Sequence, residues 1–167
     1  FLSGARLMSH AVARLRAARI ARSAKPFLAR GSRSVRCNDC RLVMTHCLCA
    51  WRPRIAATSA VCLLMHDVEA LKPSNTGWLI ADVLADTSAF GWSRVEVDAG
   101  LPALLADPQW QPYLVFPGEY VAAERVVSVV QPAMGKRTLF VLLDATWSEA
   151  RKMFRKSPYL NSLPVLS

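Results

Sequence analysis

The chain has 167 residues, of which 53% are hydrophobic, and a mean hydropathy of +0.21, as expected for one folded domain rather than a disordered chain. No apolar run approaches the ~18 residues of a transmembrane helix, so we expect no membrane association. The formal net charge is +9, and residues 1–36 contain nine Lys and Arg residues but no acidic residue.

This basic segment, residues 1–36, is predicted to form a helical arm. Residues 11–30 are rich in Ala and carry apolar residues at helical spacing, and Pro26 is expected to end the helix. An acid-free basic segment attracts phosphate backbones, although a mitochondrial presequence or a plain solvated helix has the same composition. We predict that the arm binds nucleic acid through Arg14, Arg16, Arg19, Arg22, Arg30, Arg33 and Arg36.

Residues 37–49 read CNDCRLVMTHCLC, a C-x2-C pair followed after six residues by C-x-C. A C-x2-C turn directs two thiolates at one tetrahedral ion, and four sulfur ligands leave no open coordination position. We therefore predict a structural zinc site formed by Cys37, Cys40, Cys47 and Cys49 within a knuckle over residues 37–54. Replacement of one ligand by His46, an iron–sulfur cluster, disulfides and free thiols remain alternatives. Clustered cysteines without a preceding signal segment favour a reducing, cytoplasmic location.

Residues 55–167 alternate between apolar runs of strand length and helical patterns. Strands are predicted over residues 60–65, 94–98, 113–116, 126–130 and 138–143, and helices over residues 78–84, over residues 101–106 and after residue 147. This alternation predicts an α/β domain with a mainly parallel sheet. A further strand-like segment at residues 163–165 makes the sheet look unfinished, so we expect a C-terminal part beyond residue 167.

The candidate catalytic residue is Asp144, which follows the apolar run of residues 139–143 and precedes a helix. In open α/β sheets, ligands bind at the carboxyl ends of the strands. Capping of the following helix is the alternative role for this carboxylate. Two further turns follow strands, the Ser-Asn-Thr-Gly turn of residues 74–77 and the Phe-Pro-Gly-Glu turn of residues 116–119. The first suits either helix capping or an anion held on backbone N–H groups.

Taken in order, these features resemble the DTW-domain tRNA-uridine aminocarboxypropyltransferases. The resemblance extends over residues 12–167, and its specificity lies in the order of the parts rather than in any one of them. The parts are the basic helix ending in PFLARG, the cysteine cluster, His66 with Glu69 and Lys72, the turns at residues 74–77 and 116–119, and the DATW signature of residues 144–147.

The resemblance implies an enzyme that moves the 3-amino-3-carboxypropyl group of S-adenosylmethionine to N3 of a uridine in tRNA and releases methylthioadenosine. It also implies a fold similar to the SPOUT enzymes, whose cofactor lies in a C-terminal knot. Members of the family continue past the position of Ser167, so part of the cofactor pocket is expected beyond it.

Residue roles follow from the same resemblance. Asp144 is expected to act as the base that accepts the uridine imide proton. Trp147 is expected to stack on a base or on the adenine, with core packing as its alternative. The cofactor is expected to contact Ser74, Asn75, Thr76, Gly77, Phe116, Pro117, Gly118, Glu119, Thr146 and Trp147.

Two other functions fit the sequence. A SPOUT-like tRNA methyltransferase would use the same cofactor, with attack on its methyl carbon instead. A non-catalytic zinc-knuckle module would bind RNA without modifying it. No feature of the sequence indicates an obligate protein partner.

Overall fold

The computed structural model describes residues 9–29, 31 and 33–167. Its helices are α1 (Ala11–Ala21), α2 (Thr76–Val83), α3 (Gly100–Ala106) and α4 (Trp147–Arg155). Its strands are β1 (Ala60–Met65), β2 (Thr87–Gly91), β3 (Trp110–Val115), β4 (Val126–Val127), β5 (Arg137–Asp144) and β6 (Val165–Leu166). None of the helices in these ranges is long and apolar enough to cross a membrane.

The strands form one sheet in the order β2-β1-β5-β3-β6-β4, and every pair in it is parallel. This confirms the predicted α/β class and its parallel sheet. Since parallel strands share a direction, all six carboxyl ends lie on one edge, which we call the carboxyl edge. Met65 at the end of β1 pairs with Asp144 at the end of β5, so the candidate base lies at this edge.

Helices cover both faces of the sheet because the strands are apolar on both sides. Leu63 of β1 packs with Val12 of α1 and Trp78 of α2 on one face. Leu64 of β1 packs with Met153 of α4 on the other face, which α3 also covers through Leu101.

Helix α1 is part of this packed core. Val12 is fully buried, and His10 caps the helix and contacts Asp82 of α2, with 3.2 Å between Nε2 and Oδ1. The helix ends at Ala21, five residues before Pro26, where it is predicted to end; the residues that follow are mostly exposed, and Leu28 is 81% exposed.

The predicted strand over residues 94–98 is wrong. These residues form an exposed loop, and Val95 is 94% exposed. The strand lies earlier, at β2, whose Thr87 to Gly91 pair with Val61 to Met65 of β1. Valine and charged residues alternate in this segment, as they do in many strands. A strand also needs an adjacent strand whose backbone N–H and C=O groups are available for hydrogen bonds.

Candidate active site and metal centre

The four cysteines of the knuckle meet at one point. Their Sγ atoms all lie within 4.8 Å of one another, with 3.5 Å between Cys37 and Cys49 and 3.8 Å between Cys40 and Cys47. A tetrahedral ion with Zn–S bonds of about 2.3 Å holds its sulfur atoms about 3.8 Å apart. The cysteines therefore fit a structural zinc ion. The ring of His46 is exposed and hydrogen-bonds Thr45, 2.9 Å away.

Hydrogen bonds and a cation–π contact shape the knuckle and attach it to the α/β domain. The backbone N–H groups of Cys40 and Asp39 lower the pKa of Cys37 to about 7, which favours the thiolate that binds metal. The indole N–H of Trp78 donates to the carbonyl oxygen of Asp39 at 2.9 Å. The guanidinium of Arg41 lies over the same indole ring, 5.0 Å from its centroid.

The side chain of Asp144 lies against the start of α2. Its Oδ2 accepts a hydrogen bond of 2.9 Å from Nδ2 of Asn75, whose Oδ1 in turn caps α2 by accepting from the Trp78 N–H. Gly77 makes this approach possible, because a Cβ there would lie closer to Asp144 Oδ2 than van der Waals contact allows. One amide thus orients the carboxylate and begins the helix.

The electrostatic surroundings favour protonation of Asp144. Burial raises its pKa and repulsion from Glu69 raises it further, while the hydrogen bond from Asn75 and the charge of Lys72 oppose the shift. Glu69 is itself buried and forms an ion pair with Lys72. A carboxylate with a raised pKa accepts a proton more readily than an ordinary one.

Asp144 does not cap the helix that follows it. Thr146 is the N-cap of α4, and Glu149 completes a capping box by accepting from the Thr146 N–H at 3.0 Å. The hydrogen bond from the Thr146 hydroxyl lowers the pKa of Glu149. Because Thr146 and Glu149 cap α4, Oδ1 of Asp144 is not needed to cap that helix.

Two cavities lie along the carboxyl edge, on either side of the end of β5, and Asp144 itself lines neither of them. The first, which we call the polar cavity, is about 630 Å³ and lies beyond β1 and β2. His66 lines it, stacked on Trp92 with ring centroids 5.6 Å apart, and the Glu149 carboxylate lies 3.4 Å from His66 Nδ1. Further polar lining comes from Arg19, Arg22, Asp67, Ser93, Arg94, Glu96 and Asp98.

The second, the apolar cavity, is about 440 Å³ and lies beyond β3, β5 and β6. The ring of Phe116 lies 6.0 Å from that of Trp147 and stacks on that of Phe154 at 4.7 Å. Trp147 is 57% exposed, so core packing does not account for it. The lining residues are Val115, Phe116, Pro117, Leu143, Trp147, Ala150, Leu166 and Ser167.

The model of the DTW domain family matches residues 34–167. The chain belongs to the DTW family. This match confirms the resemblance inferred from the sequence and indicates a tRNA-modifying enzyme with tRNA as its substrate. No solved structure matches the chain.

The DTW structure brings together some of the predicted site residues. Asn75 and Gly77 contact Asp144, whereas Phe116, Pro117 and Trp147 line the apolar cavity. The Gly118 N–H donates to Oγ of Ser167 at 2.9 Å, beside that cavity. The side chains of Ser74, Thr76 and Glu119 are exposed and lie outside both cavities.

The predicted RNA-binding arginines do not form one surface. Arg14, Arg22 and Arg33 are exposed, Arg19 pairs with Asp67 at 2.7 Å, and Arg30 lies outside the described residues. Arg16 and Arg36 are half-buried and line a third cavity, between α1 and the knuckle.

Two residues without a predicted role, His66 and Trp92, lie at the site of this DTW domain. His66 directly follows β1, and its N–H donates to the Asp144 carbonyl oxygen at 2.9 Å. Trp92 directly follows β2, and its N–H donates to the Met65 carbonyl oxygen at 2.7 Å. The sequence does indicate a site position for His66, because it directly follows an apolar run of strand length. It gives no such indication for Trp92, because β2 is not among the predicted strands.

Proposed function

We propose that this protein transfers the 3-amino-3-carboxypropyl group of S-adenosylmethionine to N3 of a uridine in tRNA. The observation that carries the proposal is the Asp144 carboxylate, oriented by Asn75 at the end of β5, a strand that lies between the strands bordering the polar cavity and those bordering the apolar cavity. The DTW family match supports the reaction class.

Asp144 acts as the general base in this proposal. Its carboxylate takes the proton from the uridine imide, and N3 then attacks the methionine γ-carbon bound to the sulfonium. The new N–C bond forms as the C–S bond breaks, and methylthioadenosine leaves with the electron pair. Burial and Glu69 raise the pKa of Asp144, so its affinity for the proton is increased.

The apolar cavity takes the adenosine part of the cofactor. Trp147 offers an exposed indole face for the adenine, and Phe116 supports it from below. The exposed Glu119 and the α2 turn with Ser74 and Thr76 are assigned to the amino and carboxylate groups of the methionine part, as the resemblance predicts.

The polar cavity takes the target nucleotide. Its cations suit a phosphate, and the exposed part of the Trp92 ring, half-buried against His66, suits an unstacked base. A base within folded tRNA has to leave its stack to reach Asp144, and the energy for this comes from protein–RNA contacts. A zinc ion held by Cys37, Cys40, Cys47 and Cys49 would supply structure alone, since four thiolates would complete its coordination. The cytoplasmic location and the SPOUT-like knot remain predictions of the sequence.

Identification of the by-product tests the proposal. We expect purified protein, incubated with S-adenosylmethionine and unmodified tRNA, to release methylthioadenosine and to leave a 3-amino-3-carboxypropyl group on uridine, detected by mass spectrometry of nucleosides. Release of S-adenosylhomocysteine would instead establish a methyltransferase. Binding of tRNA without either product would establish a non-catalytic module.

A further inference from the structure

A third cavity, which we call the arginine pocket, lies between α1, the knuckle and the segment that precedes α2. It is about 260 Å³, below the usual range of ~300–1,000 Å³ for small-molecule sites, and three of its lining residues are Arg16, Arg36 and Arg41. We propose that the arginine pocket binds one backbone phosphate of the RNA substrate. The inference rests on the proposed function only in taking tRNA as the ligand.

The three arginines have no carboxylate partner among the described residues, and the thiol that shares the pocket, Cys37, belongs to the metal site. None of the ion pairs in the described part of the chain includes Arg16, Arg36 or Arg41. The Nε atoms of Arg16 and Arg36 are buried and have no hydrogen-bond partner among the described residues. A buried guanidinium N–H without an acceptor is costly, so a charged acceptor in the pocket would stabilise the arrangement.

Neighbouring contacts hold the arginines in place. Nη1 of Arg36 donates to the carbonyl oxygen of Arg41 at 3.1 Å, and the guanidinium of Arg41 is held over the ring of Trp78. Guanidinium groups fixed by such contacts around one cavity form a preorganised anion site rather than a solvated surface.

The lining favours RNA over a free anion. Phe27 also lines the pocket and is 39% exposed, so it offers an aromatic face to the base attached to the bound phosphate. Leu71 and Pro73 form another part of the wall, and the residue between them, Lys72, lies close enough to Asp144 to influence its pKa. A phosphate held here would therefore position RNA beside the carboxyl edge.

Affinity for tRNA, measured without S-adenosylmethionine, tests the pocket independently of the transfer reaction. We expect Arg16→Gln to weaken binding of unmodified tRNA at least about tenfold and to reduce the salt slope by about one. Arg155→Gln, an exposed charge on α4 outside the arginine pocket, is the control and should change affinity less than about twofold. Arg36→Gln should match Arg16→Gln, and the zinc content and melting temperature of each variant show whether the knuckle is intact.

Single methylphosphonates in a tRNA stem-loop then identify the phosphate. At one position, neutralisation should weaken wild-type binding about tenfold and leave Arg16→Gln binding unchanged. Equal effects of Arg155→Gln and Arg16→Gln, or no position that couples to Arg16, would overturn the proposal. If inorganic phosphate stabilises wild type but not Arg16→Gln while tRNA affinity is the same for both, the pocket binds a free anion and the RNA assignment is wrong.

Discussion

The polar and apolar cavities share one sheet edge but differ in what they present. Beyond β1 and β2, the polar cavity is lined by arginines, carboxylates and the stacked pair of His66 and Trp92. Beyond β3 and β6, the apolar cavity is lined mainly by hydrophobic side chains around Phe116 and Trp147. Strand β5 runs between β1 and β3 and ends at Asp144. In the proposed function, the polar cavity binds the target nucleotide and the apolar cavity binds the cofactor, so the two ligands reach Asp144 from opposite sides of β5.

Among substitutions of the residues around Asp144, the largest effect is expected from closing the space beside its carboxylate. A methyl group in Gly77→Ala would overlap Asp144 Oδ2 and press on Asn75, so the carboxylate must move. A displacement of about 1 Å can cost ~10²-fold in rate, and we expect a loss of that size in kcat. Leu79→Ala, at a residue of the same helix that is 48% exposed and lines neither cavity, is the control. A Gly77→Ala enzyme with normal kcat would show that both cavities work without Asp144 in this position.

The apolar cavity should respond to loss of its exposed aromatic face. We expect Trp147→Ala to raise the KM for S-adenosylmethionine about tenfold, as expected from loss of one stacking interaction, while tRNA affinity stays the same. Trp51→Ala in the knuckle, at a residue that is 82% exposed, controls for loss of a surface tryptophan. Steady-state kinetics and a tRNA binding assay measure the two effects. The reverse pattern, weaker tRNA binding with unchanged KM, would assign Trp147 to the nucleotide.

A substitution in the polar cavity should affect tRNA binding and leave the KM for S-adenosylmethionine unchanged. Removal of one cation in Arg22→Gln should weaken tRNA binding by roughly threefold to tenfold and reduce its salt dependence by about one phosphate contact, without changing the KM for S-adenosylmethionine. Arg155→Gln, an exposed charge on α4, is the control. Binding titrations at several salt concentrations provide the measurement. If Arg22→Gln and Arg155→Gln weakened tRNA binding equally, the polar cavity would contribute no more to RNA binding than any other positively charged part of the surface.

The smallest effect concerns stability. Since burial raises the folded-state pKa of Asp144, its protonated carboxyl favours the fold below the unfolded pKa of about 3.9, and this contribution is lost as pH rises through the folded pKa. Asp144→Asn removes the buried charge, so we expect its melting temperature at pH 7 to exceed that of wild type by about 2–4 °C. The difference should shrink at pH 4. A variant less stable than wild type at pH 7 would mean that the contact with Asn75 outweighs the burial of charge.

Local features of the sequence predicted the parts of the structure that depend on local spacing. The four cysteines lie within thirteen residues, so their spacing alone predicts the cluster that the fold forms. The buried runs of β1 and β5 were evident for the same reason. The match to the DTW family likewise confirms a resemblance carried by short motifs in order.

Contacts between distant segments could not be predicted in the same way. The hydrogen bond from Asn75 to Asp144 joins residues 69 positions apart and depends on the register of β1 against β5. Trp92 reaches the site only because β2 pairs with β1, and the sequence suggested a later strand instead. The arginine pocket likewise combines Arg16 of α1 with Arg41 of the knuckle, which sequence analysis had assigned to separate units.

The most direct test of the account is a single-turnover measurement on Asp144→Asn with S-adenosylmethionine and tRNA. The account predicts that methylthioadenosine formation falls ~10²–10⁴-fold, the usual contribution of a general base, while tRNA affinity stays at the wild-type value. A variant that forms methylthioadenosine within about threefold of the wild-type rate would contradict the assignment of Asp144 as the base.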